Sequence, residues 1–242
     1  MRSGTKIVGM LDRRRDLSIA HFHQHWRGPH ALEALKLAPE FIVQYVQNHS
    51  LHIPIPGFEE ACDGCPVVWV HDAEAAAGMS RSDAYRTGAW IDEPRFMEFR
   101  SRGFVGHEEV VDPGPRMLRF PCSVKAMFFL KRPETLSRDD FLAGWRALPH
   151  PLVHAAPEAR RYVRTIPDDP DAWFDGLEEL WWRDIAGFQA AWSNRVRPDA
   201  AAALLDEAAS RAMLVEENRV VWPEEGVFVA KRVNPGDAPG AD

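Results

Sequence analysis

The sequence predicts an α+β protein made of two copies of one β-α-β-β-α-β unit, and three observations predict it. The segment LSIAHFHQHWRGPHALEAL from Leu17 returns as LSRDDFLAGWRALPHPLV from Leu136, with Phe22, Trp26 and Arg27 matched by Phe141, Trp145 and Arg146 at an offset of 119 (Phe22 to Phe141). KIVGML at Lys6 matches KAMFFL at Lys125, and QYVQN at Gln44 matches RYVRT at Arg161. Asp63-Gly64 and Trp69 match Asp175-Gly176 and Trp181, but the offset has fallen to 112 (Asp63 to Asp175), so the second copy has shorter loops. Each copy takes about half of the 242 residues, the size of a small domain and too long for a solenoid repeat. The predicted domains are 1–121 and 122–242, joined through the proline-flanked stretch 113–121. A disordered tail is expected from about residue 235, in PGDAPGAD.

Each copy opens on a short apolar run, 6–11 and 124–131, which reads as a buried strand because it is too short for a helix. A helix follows, with Ser18 and Ser137 as N-caps and Leu17 and Leu136 placed to pack onto Phe22 and Phe141 one turn in. Phe22 and Trp26, four apart, share one helix face, as do Phe141 and Trp145. Pro29 and Pro149 lack the amide hydrogen the helix ladder needs, so the helix should kink or break beside His30 and His150. Second strands are predicted at 42–49 and 160–166, where alternation turns Tyr45 and Asn48 to opposite sides. Third strands follow the Asp-Gly turns, at 66–71 and 177–183. Helices are predicted at 94–102, 185–194 and 199–210, and fourth strands at 108–111 and 212–217, with extra strands at 117–120 and 227–231. This order is the ferredoxin-like unit, twice. Two such sheets, each with helices on one face, can cover each other's bare faces in a pseudo-dimeric α+β barrel.

Composition narrows the function. The chain is 45% hydrophobic and 27% charged, with no apolar run near the roughly 18 residues a membrane span needs. No secretory core or disulfide framework is evident among three cysteines, so a cytoplasmic protein is expected. A formal charge of −7 repels phosphate backbones, so nucleic acid is not an expected partner, and without a membrane-length apolar run neither is a membrane. Nine Trp and thirteen Phe can line an apolar cleft as well as fill a core.

The succession of strand, F-x-x-x-W-R-x-x-H, Y-V-Q-N and D-G-x-x-x-x-W resembles the EthD family of dimeric α+β barrel proteins, here with two family domains fused in tandem. The resemblance covers nearly the whole chain and implies small-molecule chemistry in a cleft between helices and sheet. The wider superfamily includes cofactor-free monooxygenases, isomerases, cyclases, dehydratases and haem proteins, so the reaction stays open. The motif falls on Trp26, His30, Tyr45, Asn48 and Asp63 in copy one and on Trp145, His150, Tyr162 and Asp175 in copy two. Copy two keeps a family Glu as Glu179 where copy one has Val67, and copy one keeps Asn48 where copy two has Thr165. One cleft should therefore predominate.

His30 and His150 are the expected bases, since imidazole both takes and gives a proton near neutral pH. Glu179, on a largely apolar strand face, is expected to be desolvated and to act as an acid unless it pairs with a base such as His150. Tyr45 could serve as acid or donor, and Asn48, Tyr162, Trp26 and Trp145 are expected to bind or wall in substrate. Asp63 and Asp175 are read as turn residues. His21 and His25 have a metal-compatible spacing, but no HExxH motif completes it and copy two lacks both, so a solvated face is expected. Cys62 and Cys65 coincide with the repeated turn, and no metal is expected there. The reading is a cofactor-independent acid–base enzyme, by dehydration, cyclisation or isomerisation, on an apolar oxygenated molecule. The rivals are a cofactor-free or haem-dependent oxygenase and a non-catalytic accessory protein. The internal pair is expected to be the assembly, with a further homodimer left open.

Overall fold

The computed structural model describes residues 5–38, 40–98, 102–114, 124–147, 159, 161–195, 202–224 and 227–230. Its strands are β1 (Thr5–Met10), β2 (Ile42–Ser50), β3 (Glu59–Glu60), β4 (Gly64–Val70), β5 (Arg102–Asp112), β6 (Val124–Leu130), β7 (Arg161–Pro167), β8 (Gly176–Trp182), β9 (Arg211–Glu224) and β10 (Val227–Ala230). Its α-helices are α1 (Ile19–His25), α2 (Ala31–Leu35), α3 (Ala73–Met79), α4 (Asp83–Thr87), α5 (Ala89–Asp92), α6 (Arg138–Ala147) and α7 (Ile185–Ser193). The fold is a mixed α+β one, as predicted. Two compact units divide it: unit 1 holds residues 1–49, 62–105 and 218–242, and unit 2 holds 50–61 and 106–217.

In unit 1 the sheet order is β9 (from Asn218), β2, β4, β1 and the start of β5, with β10 hydrogen-bonded beyond β9. β4 is antiparallel to both neighbours, setting Tyr45 opposite Val68 and Gln47 opposite Pro66 on one side, and Lys6 opposite Trp69 on the other. A bulge at residue 43 shifts the register between Ile42 and Gln44. Ser18 caps α1 as predicted, its hydroxyl accepting from the His21 amide at 3.2 Å. Pro29 does not break the helix. The chain passes into a π-helical segment, Trp26–His30, and continues as α2. A single π turn within the helix accommodates the donor that proline removes from the α ladder, and it re-aims the side chains within it.

Unit 2 has the order β5 (from Gly106), β7, β8, β6 and β9 (to Glu217), with β3 parallel to the start of β9. β8 again sits between two antiparallel neighbours, placing Arg164 opposite Glu178 and Lys125 opposite Trp181. Ser137 caps α6, accepting from the Asp140 amide at 3.1 Å. All seven residues of β6 and of β8 are buried, so both faces of these strands are covered.

The two units share one close-packing device. A Cβ on Gly64 would lie 2.5 Å from the Trp26 ring, and a Cβ on Gly176 would lie 2.5 Å from the Trp145 ring. The glycine of each Asp-Gly pair therefore opens the space in which the helix tryptophan stands against the sheet. Phe22 packs on Trp26 at 5.7 Å, and Phe141 stacks on Trp145 at 5.4 Å.

Several expectations are corrected. Among the described residues of the helix predicted at 94–102, none is α-helical: Pro94 lies in a single 3-10 turn, Glu93–Arg95, Arg102 begins β5, and the helical residues come earlier, in α3 to α5. The signals were the caps Asp72 and Ser82, whose side chains accept from the Ala75 and Tyr85 amides at 2.8 and 3.2 Å. β5 and β9 extend well beyond the predicted 108–111 and 212–217 because continuous antiparallel pairing stabilises residues of low strand propensity. Residues 203–210 form turns, not the predicted helix, with Asp206 accepting from the Ala209 amide. The strand at 227–231 is present as β10. The strand at 117–120, most of the 113–121 join, His150 and the tail from 235 lie outside the described residues.

Candidate functional site

The π segment of unit 1 turns the His30 ring towards α5, whose last residue is Asp92. The two meet at 3.1 Å, His30 Nδ1 to Asp92 Oδ2. His25, one helical turn earlier, places Nε2 at 3.0 Å from both Asp92 oxygens, so one carboxylate bridges two imidazoles. Phe96 covers the pair, 5.2 Å from the His25 ring and 4.8 Å from the His30 ring. Burial opposes charge on Asp92, which is 4% exposed, but the hydrogen bonds from His30 and His25 outweigh it and hold the carboxyl below its ordinary 3.8. An ionised carboxylate on Nδ1 puts the proton on that nitrogen and leaves His30 Nε2 as the basic lone pair. An open groove of about 410 Å³ begins two residues further on, lined by Arg14, Arg15, Asp16, Pro94, Met97 and Glu98.

His30 was legible in the sequence as a possible base. Asp92 was not: it stands between Ile91 and Glu93 in a segment without a counterpart in the repeat. His25 was read as half of a solvated metal-spaced pair, and the structure corrects this, since its ring turns inward onto Asp92. Among the described residues no cluster of three or more His, Cys, Asp or Glu could hold a metal.

A second set of polar groups in unit 1 surrounds Trp26. Gln47 Nε2 donates to the Trp26 carbonyl at 2.7 Å and to the Tyr45 hydroxyl at 3.3 Å, and Gln47 Oε1 accepts from Asn218 Nδ2 at 2.7 Å. Burial pushes the Tyr45 hydroxyl up to about 12, so it keeps its proton. His49, 1% exposed, packs on Trp26 at 4.4 Å and edge-on to His23 at 4.7 Å. Burial, with the nearby Arg27 and His23, lowers its basicity well below the ordinary 6.5, so the ring is neutral. Asn48 donates to the Cys65 carbonyl at 2.7 Å, a tie between neighbouring strands.

In unit 2 the matching cluster closes on a carboxylate of the chain. Trp145 Nε1 and the Tyr162 hydroxyl both donate to Glu178 Oε1, at 2.6 and 2.5 Å. Arg164 Nε donates to the Tyr162 hydroxyl at 2.8 Å. Glu179, expected to seek an imidazole, instead pairs with Lys125 at 2.9 Å, and the same ammonium meets Glu217 at 3.2 Å. Trp181 donates to Glu217 at 2.9 Å and lies under Lys125 at 4.9 Å, just as Trp69 lies under Lys6 at 4.9 Å in unit 1. Alternation correctly separated Glu178 from Glu179. It could not choose between them, because both faces of β8 are buried.

Asp63 and Asp175 do more than make turns. Each accepts from the backbone amide of an arginine, Arg13 at 2.9 Å and Arg132 at 3.0 Å, and each faces that arginine's guanidinium. Both arginines then donate at 2.5 Å to the carbonyl of the leucine before the helix cap, Leu17 and Leu136. Cys62 and Cys65 are buried thiols, and Cys62 Sγ donates to the Gly64 carbonyl at 3.1 Å.

A sheet packed against helices, with a histidine–carboxylate cluster at a π turn, defines the class: a mixed α+β fold whose structural neighbours are of the dimeric α+β barrel type. Residues 14–100, which contain both the cluster and Trp26, match the model of the EthD domain. A provisionally assigned monooxygenase from Fusobacterium nucleatum subsp. nucleatum is similar in structure, with a TM-score of 0.56 and 8% identity over 96% of this chain and 100% of that one. An anthrone oxidase-like protein aligns with a TM-score of 0.57 and 8% identity over 90% of this chain and 92% of that one. A provisionally assigned chlorite dismutase aligns at 0.53 and 9% identity over 89% and 95%. No curated protein sequence matches the chain. No helix among the described residues is long and apolar enough to cross a membrane.

Proposed function

We propose that the EthD domain is the catalytic part of a small-molecule enzyme that abstracts a proton from an activated carbon or oxygen of an apolar oxygenated substrate, with His30 as base. The observation that carries this reading is the Asp92 carboxylate on His30 Nδ1. It fixes the tautomer, orients the ring and stabilises the imidazolium formed when Nε2 takes the proton. His25, on the same carboxylate, adds a second imidazole to the network. Proton abstraction of this kind is the first step of dehydration, cyclisation or isomerisation. It is also the step that precedes reaction of a substrate carbanion with oxygen, the chemistry suggested by the neighbours named as monooxygenase and oxidase. The copy-two half, with its polar cluster already closed on Glu178, is the less suited of the two to catalysis. Its assignment as a second EthD-type domain in tandem belongs to the same proposal.

Haem does not fit the His30 side of this domain. Phe96 packs against the His30 ring, while Phe22, Trp26 and Phe96 are wholly buried together, and this packing among the described residues leaves no slot for a macrocycle. His49, the other buried imidazole, is covered by Trp26 and His23.

The test uses a 1,3-diketone as a generic carbon acid and follows its deuterium exchange in D2O by NMR, with oxygen uptake recorded in parallel. Exchange should be faster with the protein than without it and should disappear in His30→Ala. Asp92→Asn should slow it by about 10²–10⁴-fold, the range of general-base catalysis and of losing the orienting carboxylate. Exchange unchanged in both variants would refute the assignment. Oxygen consumption that depends on His30 would place the reaction among the oxygenases, and exchange without consumption among the lyases and isomerases.

A further inference from the structure

The repeat supplies an internal comparison at one pocket. In unit 2, Trp145 Nε1 and the Tyr162 hydroxyl converge on one carboxylate oxygen of Glu178. The register makes the equivalents unambiguous: Tyr162 faces Leu180 and Arg164 faces Glu178, as Tyr45 faces Val68 and Gln47 faces Pro66. Unit 1 thus keeps both donors, Trp26 and Tyr45, and has a proline where unit 2 has the acid.

The consequence is visible at Trp26. This residue is fully buried, and its indole Nε1 makes only a weak contact with the Tyr45 hydroxyl, with no acceptor in good hydrogen-bonding geometry among the described residues. A buried donor left unsatisfied costs about 1–3 kcal/mol, so such groups call for an explanation. Tyr45 accepts from Gln47, which leaves its own proton to donate. The surroundings suit an anion and a ring: Arg27 carries its positive charge close enough to act on His49, and Trp26, His49 and His23 form aromatic walls. Pro66 is partly exposed whereas Glu178 is fully buried, so the place of the acid is nearer to solvent in unit 1 than in unit 2.

We propose that unit 1 binds the carboxylate of a small aromatic acid at Trp26 Nε1 and the Tyr45 hydroxyl, in the place that Glu178 occupies in unit 2. The carboxylate is the group these two donors already hold once in this chain, and charge-assisted hydrogen bonds of this kind are the stronger class. The site stands on residues other than His30 and Asp92.

Benzoate is the probe and benzamide the control, titrated into the full-length protein labelled with ¹⁵N. The indole cross-peak of Trp26, assigned with Trp26→Phe, should move on addition of benzoate and respond far less to benzamide. Tyr45→Phe should weaken benzoate binding by about ten- to a hundredfold, the loss of one hydrogen bond to a charged group. Pro66→Glu should supply the missing carboxylate from the chain itself, moving the Trp26 indole peak without ligand and abolishing benzoate binding. The proposal is overturned if benzoate leaves the wild-type indole peak unmoved up to its solubility limit, if benzamide binds as well, or if Tyr45→Phe binds benzoate as tightly as wild type. The wild-type titration and Tyr45→Phe decide even where Pro66→Glu does not fold. Proton exchange unchanged in His30 variants that still bind benzoate would strike the catalytic reading and leave this one standing.

Discussion

Replacing Lys125 by Met separates a structural role for Glu179 from a catalytic one. Lys125 is 1% exposed and holds Glu179 at 2.9 Å and Glu217 at 3.2 Å, and the two carboxylate side chains are themselves 1% and 6% exposed. Methionine preserves the length and apolar body of the lysine but removes the ammonium, so two buried carboxylates lose their shared cation. Breaking a buried pair from one side costs about 3–5 kcal/mol, because desolvation of the remaining charge is no longer offset. For a chain of this size each kcal/mol lowers the melting temperature by about 2–4 °C, so a fall of about 6–20 °C is expected. Thermal unfolding followed by circular dichroism at pH 7 measures it. The double variant Lys125→Met, Glu179→Leu should recover much of the loss, since it removes one of the stranded carboxylates. A Lys125→Met protein within about 0.5 kcal/mol of wild type, the range of an ordinary surface substitution, would show that the triad does not carry this energy and would reopen Glu179 as a site residue.

The shared glycine–tryptophan contact predicts that Gly64→Ala and Gly176→Ala each destabilise by about 1–3 kcal/mol in urea unfolding, because a new Cβ would stand 2.5 Å from a buried indole. Gly28→Ala is the control: nothing lies within 4 Å of its Cβ position, and alanine favours the helix, so it should be neutral or stabilising. His49 should make the protein less stable in acid. Its folded basicity lies below the unfolded value of 6.5, so its contribution is whole above that pH and is lost as pH falls through it, at up to about 1.4 kcal/mol per pH unit. His49→Gln should flatten that limb of the stability curve between pH 6.5 and 5, and an unchanged slope would rule the histidine out as its source.

The local signals in the chain were sufficient for the helix starts, whereas the expected division at 121/122 is not how the compact units are made up: residues 218–242 group with 1–49 and 62–105, and 50–61 with 106–217. Ser18 and Ser137 mark the helix starts because a side-chain oxygen satisfies an amide that no preceding turn can, and Pro29 marks the π turn because its nitrogen carries no proton. Such effects act within a few residues and leave a legible trace. Comparison of the two copies also exposed the Asp-Gly pairs, although their second task, holding Arg13 and Arg132 against the chain before each helix, required the distance of fifty residues between Arg13 and Asp63 to be closed. By contrast, which carboxylate meets which cation was undecided until strands were paired. Glu178 and Glu179 are neighbours in sequence with the same chemistry, and they differ only in what lies on their two sides: Trp145 and Tyr162 against one, Lys125 against the other. Asp92 is the same case in unit 1. Nothing beside it in the chain points to His30, 62 residues earlier, and only folding brings the two within 3.1 Å. Secondary structure and repeat follow from short-range sterics and hydrogen bonding, which sequence carries directly. The polar clusters depend on burial, which sets the strength of every charge, and burial is a property of the whole packed sheet.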